Sequence, residues 1–343
     1  MISKDSKKKI LIIKLRGIGD VVLSTVILDN LKNDFPNSTI DYLTDYPSKT
    51  ALEGLPQINK VLIFPKDNTW ERIKLIRRIR KEKYDLVFDF FSNPSTALIT
   101  FISKAKYRIG FPYRGRKYAY NLFGPEERSK YHAAELHLIT LEMLLLTHDS
   151  QNLYFYISES DKLFADNFLT KNNLQNSFVV GLSPSGGWQS KKYEPEKFAE
   201  IGNEIIKKYG AKIIILWGKS DKDDAEKIHQ LIPGSIYAPP TSINEMASLI
   251  QRCKFLIAND SGPMHISTAV GTPVLSIHGP TDPKLQGPYG DKHEWINNSE
   301  LDCIICNLLE CPKNHECFRD LPLEKIMEKI ESIIHKNNLM TKA

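Results

Sequence analysis

A chain of 343 residues is too long for one hydrophobic core and predicts about two domains. With 41% hydrophobic and 25% charged residues it has the composition of an ordinary soluble globular protein, and no apolar run approaches the ~18 residues of a membrane-spanning helix. The start, 1–9, is polar and basic, and the apolar run after it, 10–15, is too short for a secretory h-region, so a cytoplasmic protein is expected. The net charge of +5 sits unevenly. Residues 72–83 hold seven Lys or Arg against Glu82 alone, and 104–117 hold six with no acid.

In chain order the first half alternates strands and helices. Strands are predicted over 9–15, 39–43, 60–64, 85–88 and 107–109, and helices over 20–34, 70–81, 95–103 and 133–146. This is a doubly wound α/β unit. The basic helix around Ile73, Leu75, Ile76 and Ile79 is most simply a solvated face. The second basic tract, KAKYRIGFPYRGRK, mixes aromatics, Gly and Pro with its charges. It reads as a loop for an anionic partner such as a phosphorylated glycolipid, nucleic acid or membrane headgroups. Nucleic acid is disfavoured because no recognised binding module accompanies the charge.

From 149 to 177 the pattern weakens into a polar, Asn-rich connector with a strand-like piece at 154–157 and a helix over 160–169. The expected domains are 1–157, a connector 158–177, a second domain 178–321, and a helix within 322–343 that could pack back on the first domain. The second alternation runs strand 178–182, helix 195–209, strand 212–217, helices 221–231 and 243–253, and then FLIANDSGPMHISTAVGTPVLSIHGPTDP. That last stretch is one strand–helix–strand unit, with strands 255–258 and 273–277 and a short helix 263–270. Asn259, Asp260, Ser261 and Gly262 place an N-cap and several backbone N–H groups at the carboxyl end of its first strand. There open parallel sheets bind ligands and helix N-termini favour anions. A plain capped helix start is the competing reading.

Two further strand-end loops carry chemistry. Leu15-Arg16-Gly17-Ile18-Gly19-Asp20 partly imitates a dinucleotide fingerprint, but Val22 stands where the third glycine belongs and Asp20 would repel a pyrophosphate. It suits a carboxylate near helix N–H groups, with an N-cap role as the simpler alternative. In Ser183 to Tyr193, Ser185, Gly186 and Gly187 allow close backbone approach while Lys191 and Lys192 supply positive charge for a phosphate. Beside it, Asp221 either caps its helix or accepts from ribose hydroxyls.

Five cysteines, four of them crowded at Cys303, Cys306, Cys311 and Cys317, suit a reducing compartment better than a disulfide framework. Their Cys-x2-Cys start fits four thiolates around one structural zinc ion that pins the segment entering the last helix, far from the chemistry. An iron–sulfur cluster and plain reduced cysteines stay open.

The segments KILIIKLRGIGDVVLSTVILDNLKNDFPNSTIDYLTD, GLSPSGGWQSKKYEPEKFAEI and ANDSGPMHISTAVGTPVLSIHGPTDP together resemble the ADP-heptose:lipopolysaccharide heptosyltransferases, glycosyltransferase family nine, with the GT-B fold. The resemblance implies two doubly wound Rossmann-like domains facing a central cleft. The first would take the acceptor and the second the nucleotide-sugar donor. It implies an inverting, metal-independent transferase with no cofactor for catalysis, at the cytoplasmic face of the inner membrane. Asp20 matches the family's catalytic base, and Lys191 the lysine near the donor phosphates. Asp260, Ser261, Gly262 and His265 match the donor segment D-[TS]-G-x-x-H, and Asp221 falls only approximately on the acidic ribose contact. Ser185, Gly186 and Lys192 would join the donor site, and Gly17, Gly19, Arg114, Arg116 and Lys117 the anionic glycolipid acceptor. Arg16-Gly17-Ile18 and Tyr193 depart from the family pattern, the former on the acceptor side. A non-catalytic nucleotide-sugar or anion binder and a GT-B nucleotide-sugar epimerase are the rival functions.

Overall fold

A computed structural model describes residues 7–340. Positions 1–6 of the basic start and 341–343 of the final segment lie outside the described residues. The chain divides into two compact units, Met1–Tyr156 and Ile157–Ala343.

Unit 1 carries strands β1 (Lys9–Ile13), β2 (Thr39–Thr44), β3 (Lys60–Ile63), β4 (Leu86–Asp89), β5 (Tyr107–Gly110) and β6 (Leu122–Phe123). Its helices are α1 (Ile18–Ser24), α2 (Ile27–Asp34), α3 (Tyr46–Leu52), α4 (Thr69–Glu82), α5 (Pro94–Ser103) and α6 (Ala133–Glu142). Unit 2 opens with α7 (Glu159–Lys171) and carries β7 (Val179–Ser183), β8 (Lys212–Ile215), β9 (Ile236–Tyr237), β10 (Phe255–Asn259), β11 (Val274–Ile277) and β12 (Glu294–Ile296). Its other helices are α8 (Pro195–Tyr209), α9 (Lys222–Leu231), α10 (Ile243–Arg252), α11 (Gly262–Ala269), α12 (Pro283–Gln286), α13 (Glu316–Arg319) and α14 (Leu323–Lys336).

Every strand pair is parallel. The central strands are apolar on both faces, as a sheet covered by helices on two sides requires. The sheet orders are β3-β2-β1-β4-β5-β6 and β12-β11-β10-β7-β8-β9. Counted within each unit, both are the doubly wound order 3-2-1-4-5-6. Each sheet therefore has one switch point, between β1 and β4 in unit 1 and between β7 and β10 in unit 2. The polar loops singled out by sequence leave the strands at these points.

Two expectations are corrected. The helix expected over 20–34 is broken at Thr25–Val26. The Ser24 and Thr25 hydroxyls donate back to the Val21 and Val22 carbonyls at 2.7 and 2.6 Å, and Thr25 Oγ1 accepts the Tyr154 N–H at 2.8 Å. Such back-bonding competes with the helix ladder. The strand expected at 154–157 does not form, because its amides are spent elsewhere: Tyr154 on Thr25 and Tyr156 on the Ala51 carbonyl at 2.8 Å. This stretch fastens the end of unit 1 onto α1–α3. The last helix buries Ile326, Met327, Ile330 and Ile333 in unit 2's own core with Ile277, Ile296 and Phe318.

Candidate functional site

At the unit 2 switch point, Asn259 ends β10 and is fully buried. Its amide bridges the neighbouring loop, donating to the Pro184 carbonyl at 2.8 Å and accepting the Tyr193 N–H at 3.2 Å. The loop 184–193 is thereby held over the end of the sheet, with Tyr193 packed edge-on against Phe198 and Phe318. Lys191 ends a short 3-10 turn, lies over the Trp188 ring at 4.4 Å and reaches Asp260 Oδ2 at 2.7 Å. Thr281, from the loop after β11, donates to the same carboxylate at 2.6 Å.

Burial pushes the Asp260 carboxyl upward, but His278, Lys191 and the Thr281 hydroxyl outweigh it and hold the group below the usual carboxylate range. His278 is buried, bonds Ser276 Oγ through Nε2 at 2.8 Å, and is driven down to about 4 by burial, so its ring is neutral at physiological pH. His265, buried in the first turn of α11, is close enough to disfavour its protonation further.

Ser261 stands at the N-cap of α11 in extended conformation, but no side chain caps this helix, and Pro263 fixes its first turn. The cap expected among 259–262 is thus not made by a side chain: Asn259 holds the loop, Asp260 holds Lys191, and Ser261 Oγ turns to the Asn259 carbonyl at 3.4 Å. First-turn amides beside a buried ammonium form a setting for a phosphate.

Lys192 points elsewhere. Its ammonium lies 3.0 Å from Asp221 and 2.8 Å from Asp224, and although burial pulls it down these two carboxylates raise its pKa. Asp221 occupies the N-cap position of α9 without a capping bond. Of the two roles open to it, the cap is not made, and its carboxylate is engaged by Lys192. A Cβ on Gly186 would sit 2.6 Å from Lys192 Cγ, so only glycine lets this lysine cross the loop. Ser185 is buried beside it.

At the unit 1 switch point, α1 starts after Gly17, whose φ of 77° is left-handed, and a Cβ there would lie 2.9 Å from Asp20 Oδ2. Gly19 is buried in the first turn. Asp20 is not the N-cap. It stands in the first turn of α1, 52% exposed, 3.4 Å from the ammonium of Lys14, which is 9% exposed just after β1. Lys14 escaped the sequence reading, although a lysine closing an otherwise apolar strand is a readable signal.

The basic loop splits. Arg116 is structural, donating to the Ser92 carbonyl at 2.8 Å and lying over Tyr113. Lys117 is exposed 3.7 Å from Glu126, and Arg114 is exposed. Arg128, not singled out by sequence, stacks on Phe111 and donates to the Tyr113 hydroxyl.

The cysteine segment is not remote from the donor loops. Ser190 donates through its N–H to the Leu309 carbonyl at 3.3 Å and through Oγ to that of Leu308 at 2.6 Å. Burial pushes the Cys317 thiol up to about 12, and Cys311, Cys303 and Cys306 add to the shift. Among the described residues no three His, Cys, Asp or Glu side chains are gathered as a bound ion requires.

Two histidines, His278 buried and His293 half-buried, set a pH dependence for unit 2. Burial drives His278 and His293 from 6.5 to about 4, and His293 Nδ1 accepts the Val274 N–H at 3.2 Å as a neutral ring must. The unfolded chain binds these protons below pH 6.5, the folded unit only near 4. Stability is therefore complete above that window and lost as pH falls through it, by up to about 3 kcal/mol per ring. Exchange-protected amides of β10 and β11 should lose protection between pH 6.5 and 4.5, and His278→Gln should flatten the slope. Protection that does not change with pH in that window would refute the assignment.

The fold is that of GT-B glycosyltransferases. The chain superposes on a glycosyl transferase family 9 structure from Veillonella parvula with TM-score 0.85 at 22% identity, covering 98% of this chain and 99% of that one. It superposes on the ADP-heptose lps heptosyltransferase II structure from E. coli with TM-score 0.75 at 19% identity, covering 96% and 99%. In sequence it is 26% identical over 332 residues to lipooligosaccharide heptosyltransferase 2 of Campylobacter jejuni, covering 94% of this chain and 97% of that protein. The model of glycosyltransferase family 9 (heptosyltransferase) matches residues 72–316, and the chain belongs to that family.

Proposed function

We propose that this glycosyltransferase moves heptose from ADP-heptose onto an anionic lipopolysaccharide-core glycolipid, with inversion at the sugar carbon. The observation that carries the reading is the Lys191–Asp260–Thr281 cluster against the uncapped start of α11 at the unit 2 switch point. There Lys191 and the α11 amides would meet the diphosphate, and Lys191 would offset the charge that grows on the departing ADP without a metal ion in that role. Lys192 would keep Asp221 placed for a ribose hydroxyl. In unit 1, Asp20 would take the proton of the attacking acceptor hydroxyl, steadied by Lys14.

The acceptor would be carried by a membrane, and exposed side chains of unit 1 support contact with one. No helix among the described residues is long and apolar enough to cross a bilayer. Instead Leu98, Phe101 and Tyr118 are exposed, with Lys104 over the Phe101 ring and Arg114 and Lys117 nearby in sequence. Aromatic and basic side chains together suit an anionic headgroup layer, and we place the protein at the cytoplasmic face of the inner membrane.

The test is incubation with ADP-heptose and a lipopolysaccharide-core acceptor in anionic vesicles. Expected are ADP release that depends on the acceptor, a product heavier by one heptose with inverted anomeric configuration, and salt-sensitive co-sedimentation. Donor consumed without acceptor would point to an epimerase, and binding without turnover to a non-catalytic protein. Either result removes the proposal.

A further inference from the structure

Two cationic side chains at the carboxyl end of the unit 1 sheet lack the partners that their burial calls for. The first is Lys14. Its ammonium is 9% exposed, yet among the described residues it makes no hydrogen bond, and the one carboxylate paired with it, Asp20, is half exposed and 3.4 Å away. The second is Arg128. Its guanidinium lies 4.5 Å from the centre of the Phe111 ring and 5.7 Å from that of Tyr113, donates to the Tyr113 hydroxyl, and pairs with no carboxylate among the described residues. Its Nε, a donor, is buried without a partner. Charge held out of water without a counter-charge is costly, so two such groups in one place imply an anion.

The sheet register puts both on one face. β1 pairs with β4 as Ile13 to Asp89, and β4 with β5 as Asp89 to Gly110. One residue further on, Lys14, Phe90 and Phe111 stand side by side, and alternation places them on the face opposite the cluster of Leu11, Ile13 and Val87. On that face the His137 ring of α6 packs on Phe90 at 4.3 Å, and Arg128 lies on Phe111. The Lys14 and Phe111 backbones are two strands apart, about 10 Å, within the joint reach of a lysine and an arginine. His137 stands between them with Nδ1 buried and unpartnered, and burial, then the charges of Lys14 and Arg128, hold its ring well below its usual range and so neutral. Other acids do not fill the gap. Asp89 turns to the opposite face, where the Tyr120 hydroxyl and the Ser92 N–H donate to it at 2.7 and 2.8 Å, and Glu126 and Glu127 are exposed and paired with Lys117 and Lys130. Two positive charges therefore face one negative charge, that of Asp20.

We propose that Lys14 and Arg128 bind one oxyanion, a carboxylate or a phosphate, on the same sugar ring whose hydroxyl Asp20 deprotonates. This rests on the acceptor role proposed for unit 1 and narrows it, from an anionic glycolipid to an acceptor sugar that is itself acidic or phosphorylated. An ammonium with no hydrogen bond of its own and a guanidinium fixed against two aromatic rings suit an oxyanion. Lys14 also faces Asp20, so an anion held there ties the sugar ring to the base. Hydroxyl and base are then positioned together, which is where orientation lowers the barrier.

The test uses the full chain with ADP present, so that inorganic phosphate does not report on the nucleotide site. Phosphorus NMR titration with inorganic phosphate should show saturable binding that Arg128→Gln removes, while ADP affinity stays that of wild type. In transfer assays Arg128→Gln should raise the KM for the core glycolipid by about 10–100-fold, the worth of a hydrogen bond to a charged group, with kcat and donor KM little changed. Arg128→Lys keeps the charge beside the rings and should recover most of the loss; it also carries the test if Arg128→Gln does not fold. Two altered acceptors identify the anion, one with its carboxylates reduced to alcohols and one with its phosphates removed. The acceptor on which wild type loses its advantage over Arg128→Gln is the one missing the recognised group. Equal phosphate binding by both proteins overturns the site, and so does a variant effect that persists undiminished on both altered acceptors. Lost phosphate binding with an unchanged acceptor KM overturns its part in acceptor recognition. Phosphate binding that depends on Arg128 in a chain that transfers no sugar supports the anion site and instead removes the acceptor reading.

Discussion

Asp20→Asn is expected to slow sugar transfer by about 10²–10⁴, the usual worth of a positioned general base, while leaving nucleotide affinity and fold nearly untouched. The fold should survive because the carboxylate is half exposed, caps no helix and meets Lys14 only at 3.4 Å. An ion pair with one exposed partner contributes at most about 1 kcal/mol. The amide keeps the size of the side chain beside Gly17, where the turn is already close to Asp20 Oδ2. What it cannot keep is a carboxylate to receive the acceptor proton. Single-turnover transfer with saturating donor, set beside ADP calorimetry on the same preparation, separates the chemical step from binding. Near-normal transfer in a soluble Asp20→Asn protein would remove Asp20 from the chemistry, and an unfolded variant would make its role structural.

Much of this architecture can be read from the sequence because parallel strands buried on both faces appear as short apolar runs. Ile10 to Ile13, Leu86 to Phe88 and Phe255 to Ala258 are such runs, and each is a central strand. The two- and three-residue edge strands Leu122–Phe123, Ile236–Tyr237 and Glu294–Ile296 are too short to show any period. The break at Thr25 joins local back-bonding by the Ser24 and Thr25 hydroxyls to a contact with Tyr154 across 129 positions, which no local pattern shows. For the candidate site, the sequence order of loops shows which residues lie at strand ends, but not which side chains pair. That Lys191 meets Asp260 while its neighbour Lys192 meets Asp221 depends on one 3-10 turn and on Gly186 making room. Asn259 looked like a helix cap and is instead the bolt between two loops. The cysteine segment looked remote in sequence, and only tertiary hydrogen bonds bring it to Ser190.

Lys191→Ala is expected to reduce both stability and turnover, and the two losses have separable causes. Lys191 and Asp260 are 12% and 6% exposed, so solvent screens them little, and removing the ammonium leaves the buried carboxylate without its ion pair, with the Thr281 hydroxyl still donating to it. Breaking a buried pair from one side costs about 3–5 kcal/mol, which denaturant unfolding would register. Turnover should fall by about 10²–10³, as when one donor to a developing negative charge is lost, with weaker ADP binding alongside. Asp260→Ala should chiefly weaken ADP binding, because Lys191 remains but is no longer held at the start of α11. The double variant Lys191→Ala/Asp260→Ala decides between the roles. Without a stranded charge, its stability should recover toward wild type, giving a coupling of opposite sign to the single losses. If Lys191 acts on the departing diphosphate, turnover stays low in the recovered protein. Should turnover return together with stability, Lys191 serves only to neutralise Asp260, and the positive charge at the leaving group has to come from elsewhere in the loop.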